Sequence, residues 1–309
     1  MDSSNVAPNY AYASMTIIEC LQVVLLYVGD ILCATSNEEF KNRMFNQGPL
    51  SIYLGVEVEQ SDGSTKLHQT HYREGIIGKF DFGAAYPSRI PMETKLRLTV
   101  TDVDQSEKKL DYGKTFPYRE LVGSLMYLAT CTKPDIAKYV QHPTQQHIGA
   151  AKRALRYLCG TKSTGIEYSS TIMTHEANQF VFEGFCDSDW GNDPDTRRSV
   201  TGFVHCVDGG AVSWTSSRQA FVAQSTAEAE YVADWLRTEF RLGIDNQAAC
   251  VIGIDPMFRR RMHHIELRWH HVRDQVAKKT VTMHKVKSAL NLSDLLMKPL
   301  ASDRLEILG

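Results

Sequence analysis

The first strongly apolar positions fall in two short runs, Val23-Val24-Leu25-Leu26-Tyr27-Val28 and Ile31-Leu32-Cys33-Ala34-Thr35, separated by Gly29-Asp30. Both runs are rich in strand formers, and Gly29-Asp30 predicts a tight turn between two strands. NEEFKNRMF then predicts a short helix. YLGVEVEQ alternates apolar and polar residues as a half-buried strand does, Ser61-Asp62-Gly63-Ser64 marks a turn, and KLHQ predicts another strand. THYREGIIGKF predicts a helix. Residues 81–115 carry Pro87, Pro91, Gly113 and mixed charge, which predicts a loop and the best internal linker.

The spacing changes to helical in FPYRELVGSLMYLATC. Leu121, Val122, Leu125, Met126, Leu128 and Ala129 form a wide apolar face, and Lys133-Pro134 ends the helix. HIGAAKRALRYLCG predicts a second helix closing at Gly160, a C-cap position. From about residue 178 strands return. FVFEGFCD ends in acids, and TGFVHCV and AVSWT form a hairpin through Asp208-Gly209-Gly210. STAEAEYVADWLRTEFR predicts a helix opened by Ser225/Thr226. A very short strand before Asp245, a helix, a basic segment, the helix HHIELRWHHVRDQVAKK, the strand TVTMHKV and a final helix opened by Asn291 complete the chain. Three strands, a helix, a strand, helices, a strand and a last helix predict an α/β architecture, a mixed sheet with flanking helices.

Composition leaves this picture in place. The chain has 309 residues, 43% hydrophobic and 23% charged, with a formal net charge of -2, which fits a globular chain of two ordinary domains. Seven cysteines (20, 33, 131, 159, 186, 206 and 250) are widely spaced and form no CxxC pair. That argues against disulfides or zinc and for a reducing compartment. The N-terminus has no basic region leading into an apolar run, so secretion is not expected. The apolar run 23–28 is far shorter than the ~20 residues of a membrane span. An intracellular, cytoplasmic or nuclear chain is therefore expected, with no membrane partner and no small-molecule cofactor.

The acids carry the candidate chemistry. Asp187 and Asp189 end a predicted strand, Glu230 lies in a helix beside Ala229 and Val232, Asp245 follows a short apolar strand, and Asp294 lies among Leu292, Leu295 and Leu296. A carboxylate in an apolar setting is costly unless paired. Several of them suit a hard divalent cation, although taken singly each reads more readily as a helix cap or a surface acid.

The motifs, in order, lift that set above chance. LLYVGDILCAT resembles the YVDD strand-turn-strand of a reverse transcriptase, and YLGVEVEQ and LHQTHYREGIIGKF resemble the segments after it. YRELVGSLMYLATCTKPDIA and AKRALRYLCGT follow. CDSDWGNDPDTRRSVTGFV, GGAVSWTSSRQAFVAQSTAEAEYVA, DNQAA, HHIELRWHHVRD and LSDLLMKPL resemble an RNase H half. Over roughly residues 23–305 the chain resembles a copia-type retrotransposon Pol polyprotein. The resemblance implies an unmatched segment at 1–22 and a truncated α+β reverse transcriptase palm remnant at 23–115. It further implies thumb or connection helices at 116–177 and an RNase H-like domain at 178–309. It also implies that Asp187, Glu230, Asp245 and Asp294 are catalytic and hold two Mg²⁺ ions that cut the RNA strand of an RNA–DNA hybrid. Asp189 is then a supporting or surface acid. The polymerase site is degenerate: Gly29 stands where the motif has its first aspartate, only Asp30 remains, and the third aspartate of the motif would lie upstream of residue 1.

Between Arg259 and Lys287 nine Lys or Arg stand against Glu266 and Asp274. Such a patch can neutralise phosphates, or it can be a solvated helix face. Arg259, Arg260, Arg261, His264, Arg268, His270 and Arg273 are its candidate nucleic-acid contacts. His264 and His270 hold the histidine positions of the motif. The Glu230 to Asp245 interval is only 15 residues. Helix end, turn and strand must share it, so either the helix is cut short or the strand is a stub. Two expectations follow: an RNase H active without a polymerase, or a catalytically dead nucleic-acid-binding or non-functional relic.

Overall fold

The structure, a computed structural model, describes residues 22–27, 30–35, 37, 39–40, 50–94, 116–137, 145–169, 182–220, 222–223, 225–226, 229, 240–254, 276–278 and 281–308. The chain divides into two compact units, 1–59 and 60–309.

In the first unit, β1 (Gln22–Tyr27) and β2 (Asp30–Thr35) run antiparallel, with Gln22 opposite Thr35 and Tyr27 opposite Asp30. Asp30, expected in the turn, is instead the first residue of a strand, because the register closes on the Tyr27–Asp30 pair. Gly29 itself lies outside the described residues, as does most of the predicted helix NEEFKNRMF. The predicted single strand YLGVEVEQ is two strands, β3 (Ile52–Tyr53) and β4 (Val56–Ser61), the latter ending two residues past the unit boundary. Leu54 (φ 50°) and Gly55 (φ 74°) turn the chain between them, so that Tyr53 faces Val56. Two positive φ values in succession are what a two-residue hairpin turn of matching twist requires.

The second unit holds a helical part and a large sheet. After β5 (Ser64–His68) come α1 (Thr70–Lys79), α2 (Tyr118–Cys131), a 3₁₀ turn at Pro134–Ile136, α3 (Gln145–Gly160) and β6 (Ile166–Ser169). β6 pairs antiparallel with β5. The apolar face of α2 meets α1 and α3, burying Leu121, Leu125, Leu128, Leu155 and Leu158 almost completely. Leu155→Ala is expected to cost about 2–5 kcal/mol, because the cavity left by a fully buried leucine does not collapse. Chemical unfolding of the full chain measures it. Gly160 does not cap α3 in a left-handed conformation. It is the last helical residue, and a Cβ there would lie 3.2 Å from the Cβ of Pro87 and 3.3 Å from the Ser88 carbonyl. The glycine admits the 87–88 segment, whose Ser88 N–H donates to the Arg156 carbonyl at 3.0 Å.

The large sheet comprises β7 (Phe182–Ser188), β8 (Val200–Val207), β9 (Gly210–Arg218), β10 (Phe240–Ile244) and β11 (Val281–Lys285), in the order β11-β10-β7-β8-β9. β7, β8 and β9 are antiparallel neighbours, while β10 runs parallel to β7 and to β11. The predicted hairpin forms through Asp208 (φ 48°) and Gly209 (φ 80°). β10 settles the tight interval. It is a five-residue strand paired on both sides, not a stub, and it takes Phe240 and Arg241 from the predicted helix. α4 (Gln247–Ile254) follows. A 3₁₀ turn at Ser288–Leu290 precedes the predicted last helix, which is broken into α5 (Asp294–Met297) and α6 (Ser302–Leu308). Pro299, which cannot donate a helical N–H, stands between the last two. This mixed α/β arrangement agrees with the expected fold class.

Tertiary hydrogen bonds tie the helical part to the sheet. The Trp214 indole N–H on β9 donates to the Ala129 carbonyl at 2.7 Å, and the Tyr168 hydroxyl on β6 donates to the Ala211 carbonyl at 2.7 Å. Burial pushes the Tyr168 phenol up to about 12.

Candidate active site

β7 delivers Asp187 to the end of the sheet's central strand, where it is 2% exposed. Opposite it on β8 stands Gly202. A Cβ on Gly202 would come within 2.9 Å of the Ser293 carbonyl and 3.1 Å of Leu296 Cβ. The missing side chain therefore lets α5 lie directly on β8 and brings its first residue, Asp294, to Asp187. Asn291 fixes the approach. Its amide donates to the Cys186 carbonyl at 3.0 Å, and its Oδ1 accepts from the Ser293 N–H at 3.2 Å and the Ser293 hydroxyl at 2.7 Å. Asn291, Ser293 and Asp294 are all fully buried.

Two cations compensate the acids. Lys298, four residues after Asp294, gives its ammonium to Asp187 Oδ2 and, at 2.7 Å, to Asp294 Oδ1. Arg304 on α6 donates to Asp294 Oδ2 and to the Ser288 carbonyl. The second oxygen of Asp187 accepts the Ser188 N–H at 2.7 Å. Burial raises the Asp187 carboxyl to about 9, helped by its hydrogen bond to Asp294 and by the charge of Asp245, against the pull of Lys298. For Asp294 burial pushes the same way, but the hydrogen bonds from Asp187 and Lys298 and the charges of Lys298 and Arg304 win and hold it below the usual carboxylate range. Burial alone would lower Lys298; its two carboxylate partners raise it instead. The pair thus keeps a proton on Asp187 and a charge on Asp294.

Asp245 comes next in the site. Ile244 on β10 lies opposite Cys186 on β7, so Asp245 follows at the level of Asp187, half-buried. Glu230 lies outside the described residues, as do Arg259, Arg260, Arg261, His264, Arg268, His270 and Arg273. The residue before Glu230 is described. The Ala229 N–H donates to the Ser225 carbonyl, one helical turn back. Asp189 does not join the pair: its Oδ1 accepts from the Val200 N–H and its Oδ2 from Asn192, closing the loop between β7 and β8.

Two residues here carried no signal in the sequence. Gln219, 6% exposed, uses one amide nitrogen to reach the Ala229 carbonyl at 2.7 Å, Thr201 Oγ1 at 2.9 Å and Ser188 Oγ at 3.2 Å. It thereby joins the residue after Asp187 to the residue before Glu230. Trp190 leaves its ring 54% exposed while its N–H donates to the Ala223 carbonyl at 2.9 Å, an anchored aromatic face three positions past Asp187.

The donor set is all carboxylate oxygen, the chemistry a hard divalent ion prefers. Among the described residues, no group of three or more His, Cys, Asp or Glu converges as a metal site. The nearest approach is the Asp187–Asp294 pair with a cation already between its members. Donor type and burial fit a divalent ion, while Lys298 holds one oxygen of each acid. Among the described cysteines, 131, 159, 186 and 206 are free thiols, and no described helix is long and apolar enough to cross a membrane.

A central strand ending in a buried acid, met by a second acid from the C-terminal helices, defines a mixed α/β protein with a carboxylate site. Its relatives name the family. The chain is 29% identical over 92% of its length to the retrovirus-related Pol polyprotein from transposon TNT 1-94 of Nicotiana tabacum. It is 32% identical over 82% of its length to the corresponding polyprotein from transposon RE2 of Arabidopsis thaliana. It is also 32% identical to an uncharacterized mitochondrial protein of Arabidopsis thaliana, of which it covers 89%. The chain belongs to the family of copia-type retrotransposon Pol polyproteins. It spans 24% of the TNT 1-94 polyprotein and 18% of the RE2 polyprotein. No protein-family profile matches the chain, and no solved structure matches it.

Proposed function

We propose that residues 178–309 form an RNase H-like nuclease that cuts the RNA strand of RNA–DNA hybrids, using Mg²⁺ held by Asp187, Asp245 and Asp294 together with Glu230. The observation that carries this reading is the burial of Asp187 and Asp294 against each other. A fold tolerates two such carboxyl groups side by side where a cation or a shared proton compensates them. The sheet order supports it: three antiparallel strands continued by two parallel ones, with acids at the ends of β7 and β10, is the arrangement the family resemblance implies. When bound, two such ions would supply an activated water and a counter-charge for the leaving oxygen. The chain's own residues set up the rest. Ser188 and Arg304 orient one oxygen of each acid, and Gln219 ties the strand of Asp187 to the start of the Glu230 helix. The 2′-hydroxyl distinguishes the RNA strand from its DNA partner. The 259–273 basic segment and Trp190 are the surfaces assigned to the duplex, through phosphate contact and stacking.

Polymerase activity is read as lost, because Gly29 removes one carboxylate from the YVDD pair and a metal site short of a ligand does not hold its ions. The test of the nuclease is incubation of the full chain with a labelled RNA–DNA hybrid, with Mg²⁺ and with chelator. RNA cleavage that depends on Mg²⁺ is expected. A folded chain that leaves the RNA intact overturns it. The second reading, a relic that binds duplexes without cutting, is favoured by one feature: Lys298 and Arg304 already neutralise the acids. It predicts intact RNA and binding that weakens steeply with salt.

A further inference from the structure

Each buried acid of the site has one oxygen tied to the protein and one turned to Lys298. On Asp187, Oδ1 takes the Ser188 N–H at 2.7 Å and Oδ2 takes the ammonium. On Asp294, Oδ2 takes Arg304 and Oδ1 takes the ammonium at 2.7 Å. The two oxygens left for a bridging cation are therefore both held by one lysine. That lysine is built differently from its partners. The carboxylates are fully buried, but the Lys298 side chain is 38% exposed. Its stem leaves the end of α5, where Lys298 is the C-cap in an extended conformation. Arg304 bonds a different oxygen of Asp294 and also holds the Ser288 carbonyl, so it can stay in place when Lys298 leaves.

We propose that Lys298 is a resident counter-cation that occupies the place of a divalent ion between Asp187 and Asp294, so that Mg²⁺ binds by displacing its ammonium. This rests on the metal-dependent reading above. It adds that the metal-free chain holds the two acids ready in place and that metal affinity is set partly by the release of one lysine. A half-exposed lysine regains rotamer freedom on release, which limits what its displacement costs. Deprived of the ammonium, the Asp294 charge and the Asp187 carboxyl lose their shared partner in a poorly solvated place, and the pair attracts a divalent ion more strongly.

The experiment is calorimetric titration of the full chain with Mg²⁺ alone, without nucleic acid, alongside thermal melting with and without the metal. Lys298→Met removes the charge at similar length, Lys298→Gln removes it but keeps a polar tip, and Lys298→Arg keeps the charge. Lys298→Met and Lys298→Gln are expected to bind Mg²⁺ at least about tenfold more tightly than the parent chain. They are also expected to melt lower without metal and to gain more from it, while Lys298→Arg stays close to the parent. A Met variant that folds only when Mg²⁺ is present gives the same support in stronger form. Unchanged or weaker Mg²⁺ binding in the Met and Gln variants, with the parent chain binding normally, overturns the displacement and leaves the metal-dependent reading standing. Absence of Mg²⁺ binding in the parent and in every variant overturns the metal-dependent reading, and the displacement falls with it.

Discussion

Asp187→Asn is expected to cut Mg²⁺-dependent RNA cleavage by at least about a hundredfold while leaving the chain folded. The first half follows from its position: Asp187 is the acid at the end of the central strand, and its amide cannot carry the charge that a divalent ion needs. The second half follows from its electrostatics. Burial holds the carboxyl up at about 9, so near neutrality the folded chain already keeps it protonated, and asparagine resembles that form in shape and charge. The sign can be worked through. A carboxyl raised in the fold binds more protons folded than unfolded between its ordinary value, near 4, and about 9. It therefore destabilises the parent chain progressively as pH climbs through that window. Asparagine does not titrate, so the melting temperature of Asp187→Asn relative to the parent should rise from pH 5 to pH 8. Melting curves across that range, paired with hybrid cleavage, check both halves. A variant that still cuts RNA would remove Asp187 from the mechanism. A stability difference that is flat with pH would remove the raised carboxyl.

The other large effect is expected at a residue with no side chain. Gly202→Val places two methyl groups where even a Cβ would lie 2.9 Å from the Ser293 carbonyl and 3.1 Å from Leu296. The first obstacle is backbone and cannot rotate away. α5 must shift off β8, carrying Asp294 with it and separating it from Asp187. Overpacking of this kind costs about 1–3 kcal/mol, and a displacement near 1 Å at the site costs about a hundredfold in rate. Cleavage should therefore fall far more than stability does. Equal cleavage by Gly202→Val and the parent chain would show that α5 does not need to touch β8.

Most of the strands and helices could be read from the chain because their signals are local. The strand-forming runs of β7 to β9, the hairpin at Asp208-Gly209 and the apolar face of α2 each lie within a dozen residues. Where the reading slipped, a nonlocal contact decided. Leu54 gave no sign of a turn, since a leucine at positive φ is unusual. Gly160 read as a cap, but it serves the close pass of Pro87 and Ser88. Phe240 and Arg241 read as helix, and pairing of β10 on both sides made them strand. The site shows the same division. Asp187, Asp245 and Asp294 were named as candidates through the motifs, and the i,i+4 spacing of Asp294 and Lys298 is visible in LSDLLMKPL. That Lys298 also reaches Asp187, 111 residues away in the chain, is not. Gln219 was missed because a polar residue after a strand looks like any loop residue until its three acceptors are in place.

The bonds from Trp214 to Ala129 and from Tyr168 to Ala211 bear on how the molecule can be dissected. A fragment beginning at residue 178 would keep the indole N–H and the Ala211 carbonyl but lose both of their mates. It would also lose Ala137, which packs against Val204, Cys206 and Leu296. The sheet would present that face to water as a sticky surface, prone to self-association. A truncation that retains residue 60 onward keeps every one of these seams closed, so the sheet and the preceding helices should be produced and handled as one piece.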